Sequence, residues 1–168
     1  MKRFGLFAVL LAGQLAGTPA IAGIADSPLP VMEAGKTTYH LCSVPGVLNR
    51  GASDIVTTYF ACTSTDTATM QVGVEVFDSN TFLLNDAVAT SFSLLAGHSV
   101  LFGTHQTFNM LFDVNLNTGD ISFYTGSARI LATSRQLVCA AFQAWGSPPT
   151  PASMVYLTVI KKETQKGD

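Results

Sequence analysis

The feature that most constrains this chain is a period of two. Across residues 70–78, Met70, Val72, Val74 and Val76 alternate with Gln71, Gly73, Glu75 and Phe77. That is the pattern of a strand with one face on a core, and it leaves Glu75 facing solvent. Phe77, on the face opposite the valines, is either exposed or marks a strand buried on both sides. Asp78-Ser79-Asn80 follows as turn chemistry, and residues 82–84 read as a short returning strand.

The same period recurs at intervals near ten residues. Residues 55–63 place Val56, Thr58, Phe60 and Cys62 on one face. Residues 91–104 read as a hairpin, with Phe92 and Leu94 before an Ala96-Gly97-His98 turn and Val100 and Phe102 after it. Met110, Phe112 and Val114 share a face in residues 108–116. Asn117-Thr118-Gly119-Asp120 is a turn, and residues 121–124 form a strand that Gly126 ends. Residues 37–43 are a strand, and residues 44–54, with Pro45-Gly46, Asn49-Arg50-Gly51 and Ser53-Asp54, are a loop. Residues 146–152 hold three prolines and form another loop, and residues 154–161 form the last strand.

Residues 128–145 fit two patterns. Ile130, Ser134, Leu137, Val138, Ala141, Phe142 and Trp145 match a helical stripe, but Thr133-Ser134-Arg135-Gln136 centres a turn between two β-like runs. Two strands are expected. About nine short strands with Gly, Pro and Asn turns predict an all-β chain, a single antiparallel β-sandwich of immunoglobulin-like architecture. Trp145 lies just past the last cysteine, outside the position of the core tryptophan of antibody domains, so the likeness is one of architecture.

The first 22 residues read as a signal peptide. Lys2 and Arg3 precede an apolar run over residues 4–15, and Ala20-Ile21-Ala22 offers a small-x-small cleavage site before Gly23. A second site lies at Ala25/Asp26. The apolar run is shorter than the ~20 residues of a membrane-spanning helix, and Cys42 lies too far downstream to carry a lipid anchor. The expected organisation is a signal peptide (1–22), an extended segment with a short strand or two (23–44), a β-sandwich domain (45–161) and a polar tail (162–168). The expected destination is periplasmic or extracellular.

Cleavage leaves seven basic and eleven acidic side chains, a net charge of about −4. That balance excludes a basic nucleic-acid surface. Lys161, Lys162 and Lys166 read as a solvated tail. Charged residues are 12% and hydrophobic residues 48% of the chain; the first suits strands covered by Ser and Thr, and the second excludes disorder.

Three cysteines remain, Cys42, Cys62 and Cys139, and export permits disulfides. Cys62 and Cys139 sit in the strand-like runs YFACT and LVCAAF, so Cys62–Cys139 is the expected bridge and Cys42 a buried free thiol. Cys42–Cys62 is the alternative. Closing a loop of about 77 residues removes roughly 4–5 kcal/mol of denatured-state entropy in the simple chain model.

No catalytic motif stands out. The histidines are His40, His98 and His105, and no G-x-S-x-G elbow is present. His40 and Cys42 stand two apart on a strand, a spacing that could bring a base to a thiol; a packed cysteine is the simpler reading. Asp113, Asn115, Asn117 and Asp120 present alternate oxygens as at the start of a calcium loop, but the glycine is seventh and the twelfth residue is Tyr124. His98 and His105 with an Asp make only a weak zinc candidate. No cofactor is expected. Phe77, Phe82, Phe123, Tyr124 and Trp145 are the candidate aromatics for a sugar platform, with core packing the commoner fate of such residues.

Six segments, FACTST, VGVEVFD, FSLLAGHSVLFGT, the pair GSARILAT and LVCAAF, and the QKGD ending, resemble those of a loose group of short secreted bacterial proteins with no assigned function. The resemblance covers about residues 45–168. It implies a sandwich and a Cys62–Cys139 bridge, and no activity; Cys42 is an addition to the pattern. The expected role is therefore structural, adhesive or protein-binding at the cell envelope, with a protein or glycan partner or self-association. The alternative is a secreted carbohydrate- or ligand-binding module, and an exported enzyme ranks third.

Overall fold

In a computed structural model the described residues are 28–50, 56–80, 82–105, 112–118, 122–145 and 153–162. The predicted signal peptide, the proline-rich loop and the QKGD ending lie outside them. Every element is a strand: β1 Tyr39–Arg50, β2 Val56–Ser64, β3 Met70–Asp78, β4 Phe92–Leu94, β5 Ser99–Gly103, β6 Val114–Asn115, β7 Phe123–Ala132, β8 Leu137–Trp145, β9 Ser153–Leu157 and β10 Ile160–Lys161. The chain is all-β, and residues 128–145 belong to two strands with a turn between them.

The strands fall into two hydrogen-bonded groups, β4-β3-β7-β1 and β5-β2-β8-β9. β7 occupies one edge of β1. The other edge is shared: Cys42 and Ser43 pair with β10, and Asn49 and Arg50 pair with β2. Between them the Gln143 side chain of β8 donates to the Gly46 carbonyl at 2.6 Å. The sheet therefore folds back along β1 and comes close to closing as a barrel. It is mixed, because β6 joins β5 in parallel. A purely antiparallel sheet was expected; a strand of two residues can pair in either sense.

One core fills the space between the groups. Val44, Val47, Phe60, Cys62, Val72, Val74, Val76, Leu94, Val100, Phe102, Ile130 and Ala141 are all buried in it. The valines of β3 enter it as their alternation requires. Their outward neighbours are also buried. Met32 and Ala87 cover Gly73, and Glu75 and Phe77 are 4% and 1% exposed. Glu75 thus does not face solvent: it pairs with Arg129, its register partner on β7. Residues 28–36 and 82–90 lie over this side.

Three expectations about local structure are corrected. Residues 44–50 are strand, not loop: β1 passes Pro45 and Gly46 with register shifts against β7, Gly46 taking φ +77° at a bulge. Gly126 does not end its strand. β7 runs through it because a side chain there would meet the carbonyls of Phe77 and Val47 on the two flanking strands. Residues 91–104 are not a hairpin. β4 pairs with β3 and β5 with β2, so the chain crosses between the groups at the Leu95–His98 turn. Leu94 and Val100 both enter the core, and crossing buries both where a flat hairpin would keep them in one layer.

Candidate functional site

The Cys62–Cys139 bridge organises the second group. The two cysteines are register partners on the adjacent strands β2 and β8, with Cα atoms 4.2 Å apart and side chains toward the core. The expected pairing is present, but it joins neighbouring strands, where an immunoglobulin domain joins facing sheets. Cys42 is a buried free thiol.

Three residues away from the bridge, side chains point to the opposite face. There Tyr59 stands opposite Phe142, and Phe142 opposite Tyr156 on β9. Tyr59 and Phe142 stack with ring centroids 5.4 Å apart and planes 19° from parallel; Tyr156 meets Phe142 edge-on at 6.3 Å. Gly103, beside Tyr59 on β5, leaves room for Phe112. Small residues (Ala61, Ala140 and Ala144) flank the row.

At its β9 end the row opens to solvent. Met154, Val155 and Tyr156 are 54%, 46% and 77% exposed, and Trp145 of β8, opposite Ser153, is exposed beside them. Among the described residues β9 pairs only with β8. Its sequence, SMVYL, has no charge, no proline and no bulge, so it lacks the usual devices that keep an edge strand from pairing with another chain. This uncharged apolar edge is the candidate functional site.

The aromatics singled out from sequence do not gather. Phe77 and Phe123 are buried, and Phe82, Tyr124 and Trp145 are exposed on different elements with no ring contact among them. Arg50 lies over Tyr124 at 5.1 Å. Sequence reasoning missed Tyr59, Phe142 and Tyr156. A signal for the first two existed, since a cross-strand Cys62–Cys139 bridge sets a register that puts Tyr59 opposite Phe142.

The chemical candidates are also placed. His40 and Cys42 are separated by a register shift in β1, so strict two-residue alternation fails there. His40 Nε2 donates to the Cys42 carbonyl at 3.2 Å, with Ser43 Oγ at 3.0 Å; the ring addresses the backbone of Cys42, and the thiol enters the core. Burial, with Lys162 and Arg129 nearby, pushes the imidazole below its ordinary value. Burial pushes the Cys42 thiol up, against the opposing pull of Lys161. Both groups are therefore neutral near pH 7, the opposite of a thiolate–imidazolium pair. His98 sits exposed in the β4–β5 turn and His105 follows β5. The Asp113 carboxylate accepts the Leu101 N–H at 2.7 Å, and Asn115 Oδ1 accepts the Asn117 N–H at 2.9 Å, with Asn117 at φ +51°. These oxygens are engaged in holding β5 and β6 in place; Asp120 lies outside the described residues. Among those residues, no three His, Cys, Asp or Glu side chains converge as a metal site, and no helix is long and apolar enough to cross a membrane.

The chain has no match. No family model, curated protein or solved structure is similar to it at a significant level. The fold and the site therefore rest on the geometry alone, and the bridge is consistent with an oxidising, non-cytoplasmic location.

Proposed function

We propose that this chain is an exported, non-enzymatic β-protein of the cell envelope that acts by protein contact, assembling with further copies of itself through β9. In this reading the two strand groups serve as the layers of an immunoglobulin-like sandwich around one core. The observation that carries it is the exposed, uncharged edge of Ser153–Leu157. A monomer would keep such an edge at risk of adventitious pairing, so in the working state something covers it. A second copy is suited to do so. Antiparallel pairing about Val155 sets Met154 of one copy beside Tyr156 of the other, and no like charges meet.

The glycan-binding alternative is less well supported. A sugar platform needs open ring faces, whereas Tyr59 and Phe142 turn their faces to each other and Tyr59 is fully buried.

Light scattering coupled to size exclusion tests the proposal over a range of protein concentrations. Wild-type protein is expected as a dimer or larger. Val155→Lys brings like charges together at the twofold, which costs several kcal/mol at an interface. Association should weaken at least about tenfold, with the bridge and far-UV spectrum unchanged. A wild-type monomer at every concentration would sink the self-assembly reading. Assembly indifferent to Val155→Lys would remove β9 from it.

A further inference from the structure

Lys161 and Lys162, read from sequence as part of a solvated tail, lie in a built setting. β10 pairs with β1, so that Lys161 stands opposite Cys42, and the Lys162 N–H donates to the Leu41 carbonyl at 2.8 Å. The β7–β8 turn brings Arg135 to the same place, its guanidinium over the Tyr39 ring at 4.7 Å. Together with His40 these residues line a cavity of about 180 Å³. Among the described residues no Asp or Glu lines it, and none forms a salt bridge with Arg135, Lys161 or Lys162. Three cations with no acidic partner among the described residues thus share one concave site on a chain whose net charge is −2.

We infer that this cavity binds a phosphate group, with Arg135, Lys161 and Lys162 supplying the charge and Tyr39 holding the arginine in place. Stacking on Tyr39 leaves the edge of the guanidinium fork open for paired hydrogen bonds to oxygens, and the two ammonium groups act as point charges on the remaining ones. Backbone pairing holds both lysines near the wall, which reduces the ordering cost of binding. The lowered proton affinity of His40, to which Lys162 contributes, reports the same positive field. This site is separate from the β9 edge and does not depend on self-association.

The test is a titration of the purified, bridge-intact protein with inorganic phosphate at constant ionic strength, read from the ring signals of His40 by NMR. A saturable shift is expected. Arg135→Gln and Lys162→Gln should each weaken it about tenfold, while Lys162→Arg retains it and Lys36→Gln, whose ammonium pairs with Glu33 outside the cavity lining, leaves it unchanged. Both neutralised positions are exposed, so thermal melts should stay at the wild-type value. Glycerol phosphate run in parallel separates the sources: tighter binding than inorganic phosphate assigns the site to a phosphorylated molecule, and weaker binding assigns it to the free anion. A shift linear in phosphate, an equal response to chloride, or an equal loss in Lys36→Gln overturns the inference.

Discussion

Arg129 and Glu75 show how a single pair of residues resists a pattern-based reading. By alternation both belong to the outer side of the sheet, and a charged residue there normally meets water. Here Arg129 is 1% exposed. Its guanidinium pairs with Glu75, donates to the Pro28 carbonyl at 3.2 Å and lies 5.5 Å from the Phe77 ring. Removing one partner of a buried pair strands the other charge, at a cost of about 3–5 kcal/mol. Arg129→Met should lower the urea midpoint accordingly, and Arg129→Met with Glu75→Gln should recover most of the loss. His40 supplies a pH signature at the same scale. Its folded-state proton affinity lies below the ordinary value near 6.5. The unfolded chain therefore binds more protons than the folded one around and below that pH, and stability falls as pH drops through this range. Melts between pH 7.5 and 5 should show the fall, and His40→Gln should flatten it.

At the scale of elements, pairing partners follow from which residues reach the core. β1 persists through Pro45 and Gly46 because bulges absorb the irregular residues while Val44 and Val47 stay inside. β2 and β8 pair over nine positions with the bridge in their midst. That bridge closes a sequence separation of 77 residues, worth roughly 4 kcal/mol in the chain-entropy model. Reductant should lower the denaturant midpoint of the wild type, and Cys42→Ala should show a loss of the same size on reduction. An unchanged midpoint on reduction would mean that β2–β8 pairing stands without the bridge. β9 owes its exposure to its place, paired to β8 on one side, before the chain turns to reach β1 through β10.

At the scale of the whole molecule, β9 is, among the described residues, an exposed, uncharged edge of a near-closed sheet. If copies associate there, stability is linked to concentration, because a partner that binds only the folded state stabilises it by mass action. The melting temperature of wild-type protein should rise with concentration, and that of Val155→Lys should not. The phosphate site lies elsewhere, where β1, β10 and the β7–β8 turn meet, so occupancy of one need not alter the other.

The sequence alone determined the all-β class and the position of β3 at Met70–Asp78, and it favoured two strands over a helix in residues 128–145 and Cys62–Cys139 over Cys42–Cys62. These follow from local period and turn chemistry, which act over a few residues. Tertiary structure decided the rest: the crossing at Leu95–His98, the run of β7 through Gly126, the burial of Glu75 and the meeting of Arg135 with Lys161 and Lys162. Each depends on which strands lie side by side and on what covers them. Those are long-range contacts, and a period of two tells which face a residue is on without telling what that face will meet.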